Sequence, residues 1–67
     1  MESKWKKVFS SNQEYKVALV EQFLANEGIP SVQFNKKDSA YTIGEIELLV
    51  TQENVLRAIH LIKNNFE

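Results

Sequence analysis

The sequence has no cysteine, no long hydrophobic run and almost no excess of charge of either sign. Without cysteine there is no disulfide framework, thiolate nucleophile or thiolate-bound zinc, and we expect a reducing, cytoplasmic location. No apolar stretch approaches the ~20 residues of a membrane span, so we expect no membrane partner. Eight basic residues against nine acidic ones give a net charge of -1. This balance disfavours nucleic acid as a partner.

Chain length limits the organisation as strongly as composition does. The 67 residues suffice for one small domain, since a core is usually built from roughly 100 to 150 residues. We therefore expect a single domain over residues 1–67, without linker or repeat. A two-domain enzyme is excluded.

The first half of the chain predicts a strand followed by a helix. Residues 5–9 are rich in aromatic and β-branched side chains and predict the strand. Ser11 and Glu14 have the spacing of a capping box, which places the start of the helix there. Gly28 and Pro30 predict its end. At 100° per residue the expected buried face of this helix contains Val17, Leu19, Val20, Phe23 and Leu24.

The second half predicts two strands and a second helix. Residues 29–34 alternate, which predicts a half-buried strand with Val32 and Phe34 on one side. Residues 45–50 alternate more regularly and predict the central strand, with Glu45 and Glu47 facing solvent. Thr51 is the expected N-cap of the second helix. Its apolar stripe is formed by Val55, Ile59, Ile62 and Phe66.

The order β-α-β-β-α indicates an α+β fold of the ferredoxin-like type. A right-handed crossover between the first two strands leaves room for the third strand between them. We therefore expect a two-layer sandwich in which a three-stranded antiparallel sheet, ordered 1-3-2, carries both helices on one face.

Such a sheet has an uncovered face, and its first strand lies at an edge with the outer side unpaired; both favour self-association as a homodimer. If Val8 points inward, the residues expected at the contact lie on the first and central strands. They are Trp5, Lys7, Phe9 and Leu49. The alternative is that Trp5 and Phe9 cap the small core, because the phase of so short a strand is not fixed by its sequence.

Residues suited to catalysis are few. The only histidine, His60, lies away from the apolar stripe of its helix, and we expect an exposed surface position. Glu45 and Glu47 are close enough for acid-base chemistry but are more simply the solvent side of a strand. There is no ligand spacing for a metal and no glycine-rich phosphate loop. We expect no enzyme activity and no cofactor.

A candidate binding site follows from topology. The first two strands run parallel, so the start of the first helix and the turn after the second strand lie at the same end of the sheet. Free backbone N–H groups and lysines there favour a small anion or a protein partner. The alternative is a plain helix cap beside a solvated turn. The residues concerned are Ser11, Asn12, Asn35, Lys36, Lys37, Asp38, Ser39 and Tyr41.

Four segments also carry a family resemblance: residues 5–9, 28–30, 35–41 and 44–50. Together they resemble small bacterial domains of unknown function that are named as prokaryotic signal-transducing proteins. The resemblance implies a ferredoxin-like fold similar to that of the nitrogen-regulatory PII (GlnB-like) proteins. It also implies a regulatory role, in which the connection from Asn35 to Gly44 corresponds to a loop that contacts partners.

The sequence therefore favours a non-enzymatic binding or regulatory domain that self-associates and presents residues 35–44 to a partner. Two alternatives share the fold. An RNA-binding sheet requires exposed aromatic residues on the two central strands, where the central strand here has glutamates. A small acylphosphatase-like hydrolase requires an arginine after the first strand, where this chain has Ser10, Ser11 and Asn12.

Overall fold

A three-stranded antiparallel sheet and two α-helices form the part of the chain that the computed structural model describes, residues 4–35 and 45–66. The strands are β1 (Trp5–Ser11), β2 (Ser31–Asn35) and β3 (Ile46–Thr51). The helices are α1 (Glu14–Asn26) and α2 (Val55–Phe66), and a 3-10 turn (Gln52–Asn54) leads into α2. Strand β3 lies between β1 and β2 and is antiparallel to both. This confirms the predicted β-α-β-β-α order and a layout consistent with the ferredoxin-like fold.

The core lies between one face of β3 and the two helices. Ile46, Leu48 and Val50 alternate along β3 and are fully buried, as the pattern predicts. Both helices pack on this same face, because their buried residues belong to one cluster with those of β3. Burying such a side chain contributes about 1.5–3 kcal/mol. The helix residues of the cluster are Val17, Val20, Leu24, Ala58 and Ile62.

The buried face of helix α1 is narrower than its sequence predicts. Val17, Val20 and Leu24 are buried and Phe23 is partly buried. Leu19 is 56% exposed, so its predicted place in the core is wrong. At 100° per residue the buried residues occupy one side of the predicted arc, from Val17 to Val20, and Leu19 lies at its opposite edge.

Glycine ends α1 in the predicted way. Gly28 has φ +82°, a left-handed conformation that side chains disfavour. The Ile29 N–H donates to the Leu24 carbonyl at 2.9 Å, and the Gly28 N–H donates to the Ala25 carbonyl at 3.0 Å. This is the Schellman arrangement, and its usual apolar contact is present because Leu24 and Ile29 are both buried in the core cluster.

The start of α1 differs from the predicted capping box. Ser11 is the last residue of β1, the N-cap residue is Gln13, and no side chain caps the helix. The Ser11 hydroxyl instead accepts a hydrogen bond from the Gln13 backbone N–H at 3.1 Å. Strand β1 runs two residues further than predicted, and this moves the helix start beyond the reach of a Ser11 and Glu14 box.

Strand β2 has Val32 and Phe34 on one side, as predicted, and its register with β3 shows which side this is. Residues directly opposite in an antiparallel pair share a face of the sheet. Gln33 pairs with the buried Leu48, whereas Val32 pairs with Leu49. Val32 and Phe34 are therefore on the face away from the helices. The inward-facing Gln33 is satisfied by α1, since its Nε2 donates to Glu21 Oε1 at 2.6 Å.

A β-bulge at Val8 divides β1. Lys7 pairs with Leu49 and Phe9 pairs with Leu48, so Val8 has no partner of its own in β3. A bulge adds one residue and reverses the alternation beyond it. Trp5 and Lys7 consequently face away from the helices, while Val8 and Phe9 both pack against the core cluster.

Helix α2 is preceded by Thr51, whose side chain makes no cap hydrogen bond to the backbone. Ile62 is buried and Val55 partly buried, as predicted, but Ala58 occupies the place expected for Ile59, which is 44% exposed. Phe66 is exposed on one side and contacts the Phe23 ring edge-to-face, with centroids 5.4 Å apart. Neither helix described is long and apolar enough to cross a membrane.

Candidate functional site

The sheet face opposite the helices is the first candidate site, and we call it the open sheet face. The strand register places its residues in three rows that run across the sheet. The rows consist of Trp5 and Thr51, then Lys7, Leu49 and Val32, then Ser10, Glu47 and Phe34.

Large apolar side chains are exposed on this face. Trp5 is 37%, Val32 40% and Phe34 53% exposed, and Leu49 is partly exposed between them. Single exposed apolar residues are common, but several on one sheet face form a patch of the kind found at protein interfaces. Three strands contribute to this patch.

The charges at the centre of the open sheet face compensate each other. Lys7 Nζ lies 3.6 Å from Glu47 Oε2, and the Glu47 side chain is only 14% exposed. Because the Lys7 side chain is 53% exposed, this is a surface ion pair, which contributes about 0–1 kcal/mol to stability. Its clearer effect is that the centre of the face carries no net charge, so a second apolar surface can approach without leaving a charge unpaired.

The predicted contact residues divide between the two faces. The register brings Trp5, Lys7 and Leu49 together on the open sheet face. Phe9 does not belong to this group, because the bulge at Val8 turns it to the core, and its predicted place on the open face is wrong. The part that Trp5, Lys7 and Leu49 take in self-association stays a prediction.

Sequence reasoning missed Val32 and Phe34 as surface residues. Their alternation with polar residues indicated a two-sided strand but not which side faced the core. The available signal was Ile29, which is fully buried just before β2. With Ile29 filling the core, the strand does not need Val32 or Phe34 for that purpose.

The second candidate site lies where β1 and β2 end. Ser11 and Asn35 both pair with Ile46, one from each side of β3. They therefore lie at the same end of the sheet, separated by two strand spacings of about 4.8 Å each. The Ser11 hydroxyl is engaged by the Gln13 N–H, and Asn12 is exposed. The remaining predicted residues, Lys36, Lys37, Asp38, Ser39 and Tyr41, lie outside the described residues.

Groups suited to catalysis are engaged or exposed. His60 is exposed, and its Nε2 lies 3.0 Å from the Asn64 amide nitrogen. Glu47 is paired with Lys7, and Glu45 is exposed. Within residues 4–35 and 45–66, no three side chains of histidine, aspartate or glutamate are grouped as metal ligands.

Arg57 also lies away from the second candidate site. Arg57 Nη2 donates to the Glu27 carbonyl at 3.0 Å. This bond lies at the C-terminal end of α1, whereas Ser11 and Asn12 precede its N-terminal end. The arginine of an acylphosphatase-like site has no counterpart beside Ser11 and Asn12.

Comparison with known proteins gives one result. A family model described as "Putative prokaryotic signal transducing protein" matches residues 5–65. No curated protein and no solved structure gives a significant match. The expected similarity to PII proteins therefore stays a prediction.

Proposed function

Because the chain belongs to the family described as "Putative prokaryotic signal transducing protein", we propose that it is a non-enzymatic regulatory domain that acts as a homodimer in the cytoplasm. The two copies pack through their open sheet faces. The observation that carries the proposal is the patch formed by Trp5, Val32 and Phe34, three half-exposed apolar side chains on one face of the sheet.

A second copy is the occupant that the face fits best. A dimer with twofold symmetry uses the same patch on both subunits, so the patch must complement itself. The central Lys7 and Glu47 pair meets this need, because it has both signs of charge and no net charge. A standard interface takes about 800 Å² per partner, which is about a sixth of the 4926 Å² surface of this chain.

The end of the sheet marked by Ser11 and Asn35 is the proposed contact for a protein partner or a small anion. In a dimer built on the open sheet face, this end stays outside the interface, because it lies at the edge where β1 and β2 finish. One surface would then hold the dimer together while another meets the partner.

The oligomeric state tests the dimer directly. We expect multi-angle light scattering to give a dimer mass for the parent chain and a monomer mass for Phe34→Ser, with unchanged circular dichroism. Leu56→Ser is the matched control, since Leu56 is 83% exposed on α2 and its loss should leave the dimer intact. A parent chain that stays monomeric up to millimolar concentration would refute the proposal.

The only tryptophan of the chain, Trp5, provides a second measurement because it lies on the open sheet face. Its emission should shift to shorter wavelength as the dimer forms and should remain long in Phe34→Ser. Quenching by single-stranded oligouridylate, with no change of mass, would instead support the RNA-binding alternative.

The partner contact is tested separately by NMR. Titration with inorganic phosphate should move the amide signals of Ser11, Asn12 and Asn35, and Lys36→Gln with Lys37→Gln should abolish these shifts. Unchanged signals at all three amides would remove the anion from the proposal and leave the dimer untouched.

A further inference from the structure

A small apolar groove lies between the two helices on the covered side of the sheet, and we call it the helix groove. Its volume is about 220 Å³. Val20 is almost fully buried and Phe9 partly buried, so these two form the deep part. Phe66 of α2 faces residues of α1 across the opening. The lining consists of Phe9, Tyr15, Lys16, Leu19, Val20 and Phe66.

Two lining residues of α1 are exposed without a structural need. Tyr15 is 61% and Leu19 56% exposed, and they lie one helical turn apart on the same side of α1. The core of α1 is complete without them, since Val17, Val20 and Leu24 are fully buried. Leaving two large apolar side chains beside a concave surface is the usual arrangement of a binding site.

Lys16 gives the helix groove its charge. Among the residues in the described ranges it is the only charged one of the lining, and it makes no ion pair with any of them. A lysine beside an apolar surface lays its methylenes along that surface and keeps the ammonium in water. The groove therefore combines an apolar interior with one positive charge at its opening.

We propose that the helix groove binds a small monocarboxylate with an apolar body. An apolar cavity of about 150 Å³ holds benzene, so 220 Å³ accommodates one aromatic ring with a short chain. A single lysine matches a single carboxylate, whereas a polyphosphate would need several cations. The apolar body would contact Val20 and Phe9, and the carboxylate would meet Lys16.

This site is independent of the proposed dimer. The helix groove lies on the helix side of the sheet, and the open sheet face lies on the other side. Phe34→Ser is therefore expected to abolish the dimer without changing ligand binding, so the two proposals can fail separately.

The test uses three probes with the same phenyl ring and three-carbon chain: 3-phenylpropionate, 3-phenylpropanol and 3-phenylpropylamine. Titrations followed by amide NMR should show the carboxylate moving the signals of Tyr15, Lys16, Leu19 and Val20. The alcohol should bind about two- to fivefold more weakly, as expected for loss of one solvent-exposed ion pair. The amine should bind most weakly.

Two lysine variants complete the test. Lys16→Gln keeps most of the side-chain stem and should bring the carboxylate to the affinity of the alcohol. Lys63→Gln is the matched control, since Lys63 is exposed on α2 and lies outside the lining, and it should leave the preference unchanged. Equal affinity for all three probes in the parent chain, or a carboxylate preference that survives in Lys16→Gln, would overturn the proposal.

Discussion

Arg57 and Glu27 join the two helices although they are 30 residues apart in sequence. The Arg57 guanidinium donates to the Glu27 backbone carbonyl at 3.0 Å, at the point where α1 ends and α2 begins. The last carbonyls of a helix lack partners within it and carry its negative dipole end, so a cation there is favourable. One side chain of α2 thus stabilises the end of α1.

The first prediction concerns this bond. Arg57→Met keeps the aliphatic stem and removes the donor, and we expect it to lower the free energy of unfolding by about 0.5–1 kcal/mol, since both residues are exposed. Glu27→Ala is the control, because the acceptor is a backbone atom and survives the substitution. Urea denaturation of both variants measures the difference. Equal losses in the two variants would contradict this account.

The second prediction concerns Gly28. A Cβ at this position would meet no atom within 4 Å, so the cost of a side chain comes from the backbone alone. At φ +82° Gly28→Ala should cost about 1–2 kcal/mol of stability. Gly28→Asn should cost less, because asparagine tolerates the left-handed region better. Equal melting temperatures for Gly28→Ala and the parent chain would show that the helix ends in a different conformation.

The third prediction separates two leucines of α1. Leu24 is fully buried and Leu19 is 56% exposed. Leu24→Ala should lower the free energy of unfolding by about 2–5 kcal/mol. This is a large part of the stability of so small a domain. Leu19→Ala should change it by less than about 0.5 kcal/mol. Urea denaturation measures both changes. Losses of stability of similar size in the two variants would show that Leu19 belongs to the core.

The fourth prediction has the opposite sign. The Ser31 hydroxyl is buried and has no hydrogen-bond partner among the described residues. An unsatisfied buried polar group destabilises the folded state, so Ser31→Ala should raise the free energy of unfolding by about 1 kcal/mol. Ser11→Ala is the comparison, since the Ser11 hydroxyl accepts the Gln13 N–H, and that change should lower stability. Denaturation curves that move in the same direction for both variants would contradict the assignment.

The order of elements could be predicted because each depends on local features. The alternation of Ile46, Leu48 and Val50 marks a strand with one buried face, and Gly28 marks the end of a helix. The right-handed crossover then leaves only one compact strand order. These features are short-range, so they do not depend on where the other elements lie.

The face that each edge strand presents could not be predicted in the same way. Val32 and Phe34 are apolar and Gln33 is polar, yet Gln33 points inward because Glu21 of α1 is there to accept its hydrogen bond. That partner is 12 residues away in sequence, so the direction of Gln33 depends on where α1 lies. The same limit applies to the candidate sites, since the helix groove depends on Phe66 reaching the side of α1.

The bulge at Val8 divides β1 into two halves whose odd-numbered residues face opposite sides of the sheet. Residues 5 and 7 face away from the helices, and residues 9 and 11 face the core. Without the extra residue all four would share one side of the sheet, and a change suited to a new partner would also disturb the interior. Because of this division, a substitution at residue 5 or 7 alters the open sheet face, whereas one at residue 9 alters the packing of the core.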